Sequence, residues 1–162
     1  CEGLVGSEMC IRDSPLIAAG GIGSGGAMLA SMCLGADGVQ IGSLFAASKE
    51  SSAHENFKSK IIDSKLGDTQ LTLKELTPVR LLKNEFYDKI QNAYKSNASK
   101  EELINLLSKG RSKKGMFEGD MKNGELEIGQ ISASIKNILS VKEIINSLMN
   151  EFNLKKQQLI NL

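Results

Sequence analysis

Two short runs of small residues carry the chemistry this chain can do. Gly20–Gly21 follows the apolar run 15–19 (PLIAA), and Gly42–Ser43 follows the run 38–41 (GVQI), with one helical segment between them. Glycine has no side chain to hold an anion off the backbone, and it accepts positive φ. A loop of this kind opening a helix turns bare peptide N–H groups toward a phosphate, and the helix dipole favours the charge. The Ser43 hydroxyl adds a donor. Either pair alone is common in tight turns, and tight turns alone are the alternative reading. Two pairs at the ends of consecutive strands match the last two units of a phosphate-binding (β/α)8 barrel and point to a phosphorylated cofactor.

Other residues carry weaker signals. Gln40 is polar within an apolar strand and either touches the cofactor or satisfies a neighbouring backbone group. His54 is the one histidine and would suit a general base, but it lies beyond the two strands at a helix start, where a structural role is the plainer reading. Arg80, Lys83 and Arg111 suit a phosphorylated substrate or a nicotinamide cofactor, against a solvated basic surface. Cys33 reads as a small apolar residue on the inner side of its helix. No nucleophile–base pair is visible.

The elements needed to hold these residues follow from periodicity. Residues 15–19 and 38–41 read as buried parallel strands. Ser24 caps a helix over 25–34 with Met28, Leu29 and Met32 inward, ended by Gly35. Beyond Glu50 the pattern changes. Ser51 is expected to cap a helix bearing Phe57, Ile61 and Ile62. Residues 69–73 read as a half-exposed strand, and 78–84 as a connector. Residues 84–95 read as a helix, and Ser99 with Glu102 as a capping box for another, ended by Gly110. Residues 110–125 read as a surface loop. Two last helices follow, one carrying Ile131, Ile135, Ile138 and Leu139, the other opened by Ser140 and Glu143, with a frayed tail after Asn153.

Bulk properties narrow the classes. The 162 residues carry 20 basic and 19 acidic side chains, a net charge of +1, which argues against nucleic-acid binding. No apolar run reaches the ~18 residues of a membrane span, and no secretory leader pattern is present, so a cytoplasmic protein is expected. The three cysteines show neither zinc spacing nor a disulfide framework. A complete (β/α)8 barrel needs about 250 residues, and the chain begins with Cys1, so the C-terminal part of a longer protein is expected. Residues 1–14 lack a helical period and stand apart. Their string SEMCIRDS resembles translated library-adapter sequence, with a natural loop as the alternative.

Residues 15–45 resemble the FMN-binding end of the nitronate monooxygenase (2-nitropropane dioxygenase) family. The likeness continues through AHENFKSKI (53–61), TPVRLLKNEF (77–86), FEGDMKNGELEIGQISASIKNI (117–138) and VKEIINSLMNE (141–151). These later segments look most like the branch of FMN-dependent enoyl-(acyl-carrier-protein) reductases. The resemblance implies an α/β fold: the C-terminal part of a TIM (β/α)8 barrel with a small, mostly helical inserted domain. It divides the chain into 15–62 (the last two barrel βα units with the FMN-phosphate site), 63–125 (the insertion) and 126–162 (helices returning to the barrel). Gly20 and Gly21 match the family's first phosphate-binding pair. Gln40, Ile41, Gly42 and Ser43 match the second, where the family usually carries threonine last. The catalytic histidine of the family belongs to an earlier glycine-rich loop, to which His54 does not correspond.

The implied parent is an oxidoreductase of fatty acid synthesis. It would use FMN, with NAD(P)H as co-substrate, to reduce an enoyl thioester that is either a small molecule or bound to an acyl carrier protein. Oxidation of alkyl nitronates by O2 is the rival within the family. A dihydroorotate or inosinate dehydrogenase relative is a more distant one, and an inactive truncated piece is the rival of another class. The 162 residues alone are expected to be inactive. The sequence leaves the nicotinamide preference and the oligomeric state open, a homodimer among the options.

Overall fold

The computed structural model describes residues 14–161. The segment set apart at residues 1–14 therefore lies, except for Ser14, outside the described residues, as do Cys1 and Cys10. The chain divides into two compact units, Cys1–Gly42 with Lys142–Leu162, and Ser43–Val141.

In the first unit, β1 (Ile17–Ala19) and β2 (Gly38–Gln40) pair in parallel, with Ile17, Ala18 and Ala19 opposite Gly38, Val39 and Gln40. Asp37 ties the strand starts together. Its carboxylate accepts from the Leu16 N–H at 2.7 Å, and its own N–H donates to the Leu16 carbonyl at 2.8 Å. The crossover is α1 (Gly25–Cys33), capped by the Ser24 hydroxyl, which accepts from the Ala27 N–H. Gly35, at φ +103, turns the chain back after it. The apolar strands were expected to be covered on both faces. They are half-exposed instead, Ile17 to 50%, because no third strand joins the pair among the described residues. Cys33 and Met32 are exposed, so the inner side of α1 is narrower than its apolar composition suggested. The long helix α6 (Val141–Ile160) runs unbroken through the tail expected to fray.

The second unit is built on the hairpin β3 (Thr69–Thr72) and β4 (Val79–Leu82), antiparallel with Thr69 opposite Leu82. β4 occupies the stretch expected as a connector. The sequence hid it because consecutive Leu81 and Leu82 break the polar–apolar alternation. Successive strand residues point to opposite faces, and both faces are covered here. Leu82 joins Ala47, Phe57, Ile61, Leu126, Ile128 and Ile135 in one cluster. Leu81 joins Leu73, Phe86, Ile90 and Leu103 in another. Residues 126–128 run along β4, with the Leu82 N–H donating to the Leu126 carbonyl at 2.9 Å and the Ile128 N–H to the Arg80 carbonyl at 3.2 Å.

The helices of this unit are α2 (Ser43–Ala46), α3 (Glu55–Ile62), α4 (Glu85–Lys95) and α5 (Lys100–Leu107). The Ser99–Glu102 capping box forms as expected on α5, but that helix ends at Leu107 with Ser108 in the left-handed region (φ +49), before Gly110 is reached. Residues 110–125 are not a surface loop. They hold a π-helical turn, Lys113–Phe117, and Gly115 and Gly124 are buried so close together that neither has room for a Cβ. The helix expected to carry Ile131 and Ile135 is a 3-10 turn, Gln130–Ser134, with extended backbone at Ile135.

Candidate cofactor-phosphate site

Because Ala19 stands opposite Gln40 in a parallel pair, Gly20–Gly21 and Ile41–Gly42 leave neighbouring strands at the same end. Gly20 has φ +89 and Gly21 φ +71. A Cβ on either would meet nothing within 4 Å, and the same holds at Gly42. Backbone conformation, not crowding, therefore requires glycine at 20 and 21. The space above these peptides is open and all three glycines are exposed. That cradle fits an anion such as a phosphate, which needs bare backbone and room. Gln40 is exposed at the end of β2, not enclosed in a buried strand.

One part of the expected anion site is already taken. The Glu151 carboxylate accepts from the Gly25 N–H at 3.0 Å and from the Gly26 N–H at 3.3 Å. The Ser24 hydroxyl takes the Ala27 N–H at 3.1 Å. The first-turn donors of α1 are thus satisfied within the chain, and the loop 20–23 before the helix is what stays open. Sequence reasoning missed Glu151 because its partners lie 125 and 126 positions away.

Ser43 follows Gly42 and opens α2. Its Oγ accepts from the Gly129 N–H at 3.3 Å, which leaves the hydroxyl proton free to be donated elsewhere. The Gly129 backbone comes so close that a Cβ there would stand 2.9 Å from that oxygen.

His54 caps α3 in the place expected of Ser51. Its Nδ1 accepts from the Asn56 N–H at 3.1 Å, and its ring lies where a Cβ on Gly119 would fall. Arg80 and Arg111 are not a solvated surface. Arg111 donates to the carbonyls of Leu107 and Asn123, both at 2.9 Å, and its guanidinium stacks 4.5 Å from the Phe86 ring centre. Arg80 donates to the Thr69 carbonyl and hydroxyl, both at 3.3 Å.

Also in the second unit, the Ser112 hydroxyl lies 2.8 Å from Glu125 Oε2 and 2.7 Å from Glu127 Oε1. The hydroxyl has one proton and donates it to one of the two carboxylates, and the other contact becomes a hydrogen bond only when that carboxyl is protonated and donates to the Ser112 oxygen. Burial pushes the Glu125 carboxyl above the usual carboxylate range. The Ser112 hydroxyl opposes that shift, the Glu127 charge adds to it, and Arg111 opposes it. Among the described residues no cluster of side chains suits a metal ion, and no helix is long and apolar enough to cross a membrane.

An α/β chain with small residues at two adjacent parallel strand ends is the class these features define. The nitronate monooxygenase family profile matches residues 4–151, and the chain belongs to that family of oxidoreductases. The match begins within the segment set apart at the N-terminus. The chain is 34% identical over 141 residues to a probable nitronate monooxygenase of Staphylococcus saprophyticus, covering 86% of this chain and 39% of that protein. It is 33% identical over 138 residues to the Bacillus subtilis counterpart, covering 85% and 40%. The chain thus spans about two fifths of these relatives. The structure of FabK from Thermotoga maritima superimposes with a TM-score of 0.83 at 35% identity, covering 92% of this chain and 47% of that one. Nitroalkane oxidase from Streptomyces ansochromogenes does so with a TM-score of 0.72 at 29% identity, covering 91% and 42%.

Proposed function

We propose that this chain is the C-terminal part of an FMN-dependent oxidoreductase. In this reading β1 and β2 are the last two strands of a (β/α)8 barrel, residues 63–125 form a mostly helical insertion, and the protein is cytoplasmic. The backbone N–H groups at Gly20, Gly21, Ile41 and Gly42 and the Ser43 hydroxyl bind the flavin phosphate, and Gln40 faces the cofactor. The observation that carries the reading is the pair of consecutive positive-φ glycines under open space, beside a parallel neighbour that ends at the same level.

The flavin would supply hydride transfer from NAD(P)H to the double bond of an enoyl thioester, free or on an acyl carrier protein. The contribution of these residues is to bind and orient: the loop amides hold the phosphate and the Ser43 hydroxyl donates to it. No catalytic acid or base is assigned here. The second reading, oxidation of nitronates by O2, is favoured by the names of the curated relatives and of the nitroalkane oxidase neighbour.

Titration with FMN and with riboflavin tests the phosphate site, because only FMN carries the phosphate. Tighter binding of FMN supports it, and equal affinity for the two flavins refutes it. On a longer chain containing these residues, NADH oxidation driven by crotonyl thioester supports the reductase, and O2 uptake driven by an alkyl nitronate supports the rival.

A further inference from the structure

The carboxylate that occupies the start of α1 comes from the far end of the chain. Glu151 lies on α6, and its two oxygens take the N–H groups of Gly25 and Gly26 at 3.0 and 3.3 Å. A carboxylate there is favoured by the helix dipole and forms charge-assisted hydrogen bonds. The contact is reinforced by shape. Gly25 is buried, and a Cβ on it would fall on the Leu148 carbonyl oxygen and the Phe152 nitrogen, so α6 meets α1 along bare backbone. The Lys155 side chain reaches the same place, 3.9 Å from a Cβ on Gly26. Five residues upstream of Gly25, at Gly20, the open glycine loop begins. It is fastened at one end to β1, and inside by Ile22, which is 7% exposed. The other end is fastened by Glu151.

We propose that Glu151 is the positioning residue of the Gly20–Gly21 loop. Its carboxylate takes the place of an external anion at the helix, fixes where the loop joins α1, and leaves the loop amides as the donors for the cofactor phosphate. The second part rests on the flavin reading above. A rival role is available to the same carboxylate, since a negative charge near a phosphate could simply compete with it. The two roles predict opposite effects of removing the charge.

The test uses the 162-residue chain, with Glu151→Ala, Glu151→Gln and the exposed neighbour Asn150→Ala as control. The first readout needs no flavin. In chain labelled with 15N-glycine, Glu151→Ala is expected to shift or broaden the amide signals of Gly20, Gly21 and Gly23, and to leave those of Gly67 and Gly110 in place. Unmoved signals from the three loop glycines would overturn the proposal. The second readout is the ratio of FMN to riboflavin affinity. A loss of structure alone weakens both flavins together. Mispositioning of the loop lowers the ratio, by about tenfold for the loss of a helix-capping carboxylate. Glu151→Gln keeps the shape and one acceptor, so it should recover part of the ratio, and it stands in if the alanine variant fails to fold. A ratio that rises in both variants would show competition and overturn positioning. A wild-type chain with no preference for FMN, but with loop signals that move, would overturn the flavin reading and keep the positioning role.

Discussion

Gly25 and Leu148 meet backbone to backbone, with the Leu148 carbonyl oxygen and the Phe152 nitrogen where a Cβ on Gly25 would lie. Glycine within a helix ordinarily costs about 1 kcal/mol relative to alanine, so Gly→Ala should stabilise α1 where space allows. At Gly25 the clash is with backbone that cannot rotate away, and Gly25→Ala should lose about 1–3 kcal/mol, the usual cost of overpacking. Gly26→Ala makes its one tight contact with the Glu151 carboxylate oxygen at 3.2 Å, a flexible side chain, with Ser24 and Lys155 at ordinary distances of 3.8 and 3.9 Å, and should be nearly neutral. Urea unfolding of both variants checks this, and equal stability would argue against the tight α1–α6 crossing.

Gly21→Val should abolish FMN binding. The valine side chain would stand in the open space over the loop, and a branched residue is strained at φ +71. Ser43→Ala should weaken FMN by about 0.5–1.5 kcal/mol, the value of one hydrogen bond. Flavin fluorescence titration reads both. Full FMN affinity in Gly21→Val would remove this loop from the phosphate site.

Stability should depend on pH through Glu125. Burial raises its folded-state pKa above the unfolded value of ~4.3. Between the two values the folded chain holds a proton that the unfolded chain has released. That contribution is complete below the unfolded pKa and is lost as pH rises through the folded one. Glu125→Gln keeps the shape without the charge, so its melting temperature relative to wild type should be higher at pH 7 than at pH 4. An equal difference at both pH values would show that Glu125 titrates as an ordinary carboxylate.

The 162 residues alone should show no NADH oxidation with crotonyl thioester and added FMN. The paired strands β1 and β2 have no further strand beside them among the described residues, and unpaired strand edges promote association. Turnover by a monomer would locate the catalytic groups within this chain, and His54 would be the first substitution to make.

Local chemistry was legible from the residues themselves. The Ser24 cap, the turn at Gly35, the capping box of Ser99 and Glu102, and the two strands ending in small residues rest on neighbours a few positions apart. Conformational preferences and short-range hydrogen bonds act over that span. The glycines at 20 and 21 could be recognised as positions needing special φ, because no other residue adopts it as readily.

Tertiary structure decided everything that depends on a distant partner. β4 was hidden because burial on both faces removes the alternation by which a strand is recognised. Gly115 and Gly124 read as loop residues, yet they are small because two backbones touch there. Arg111 read as a surface charge, and the Phe86 ring and two carbonyls make it a structural cation. The start of α1 read as a free anion site, and Glu151 fills it from the other end of the chain. Sequence records which groups can bond, whereas the fold determines which bonds form, because only folding brings residues a hundred or more positions apart to within 3 Å.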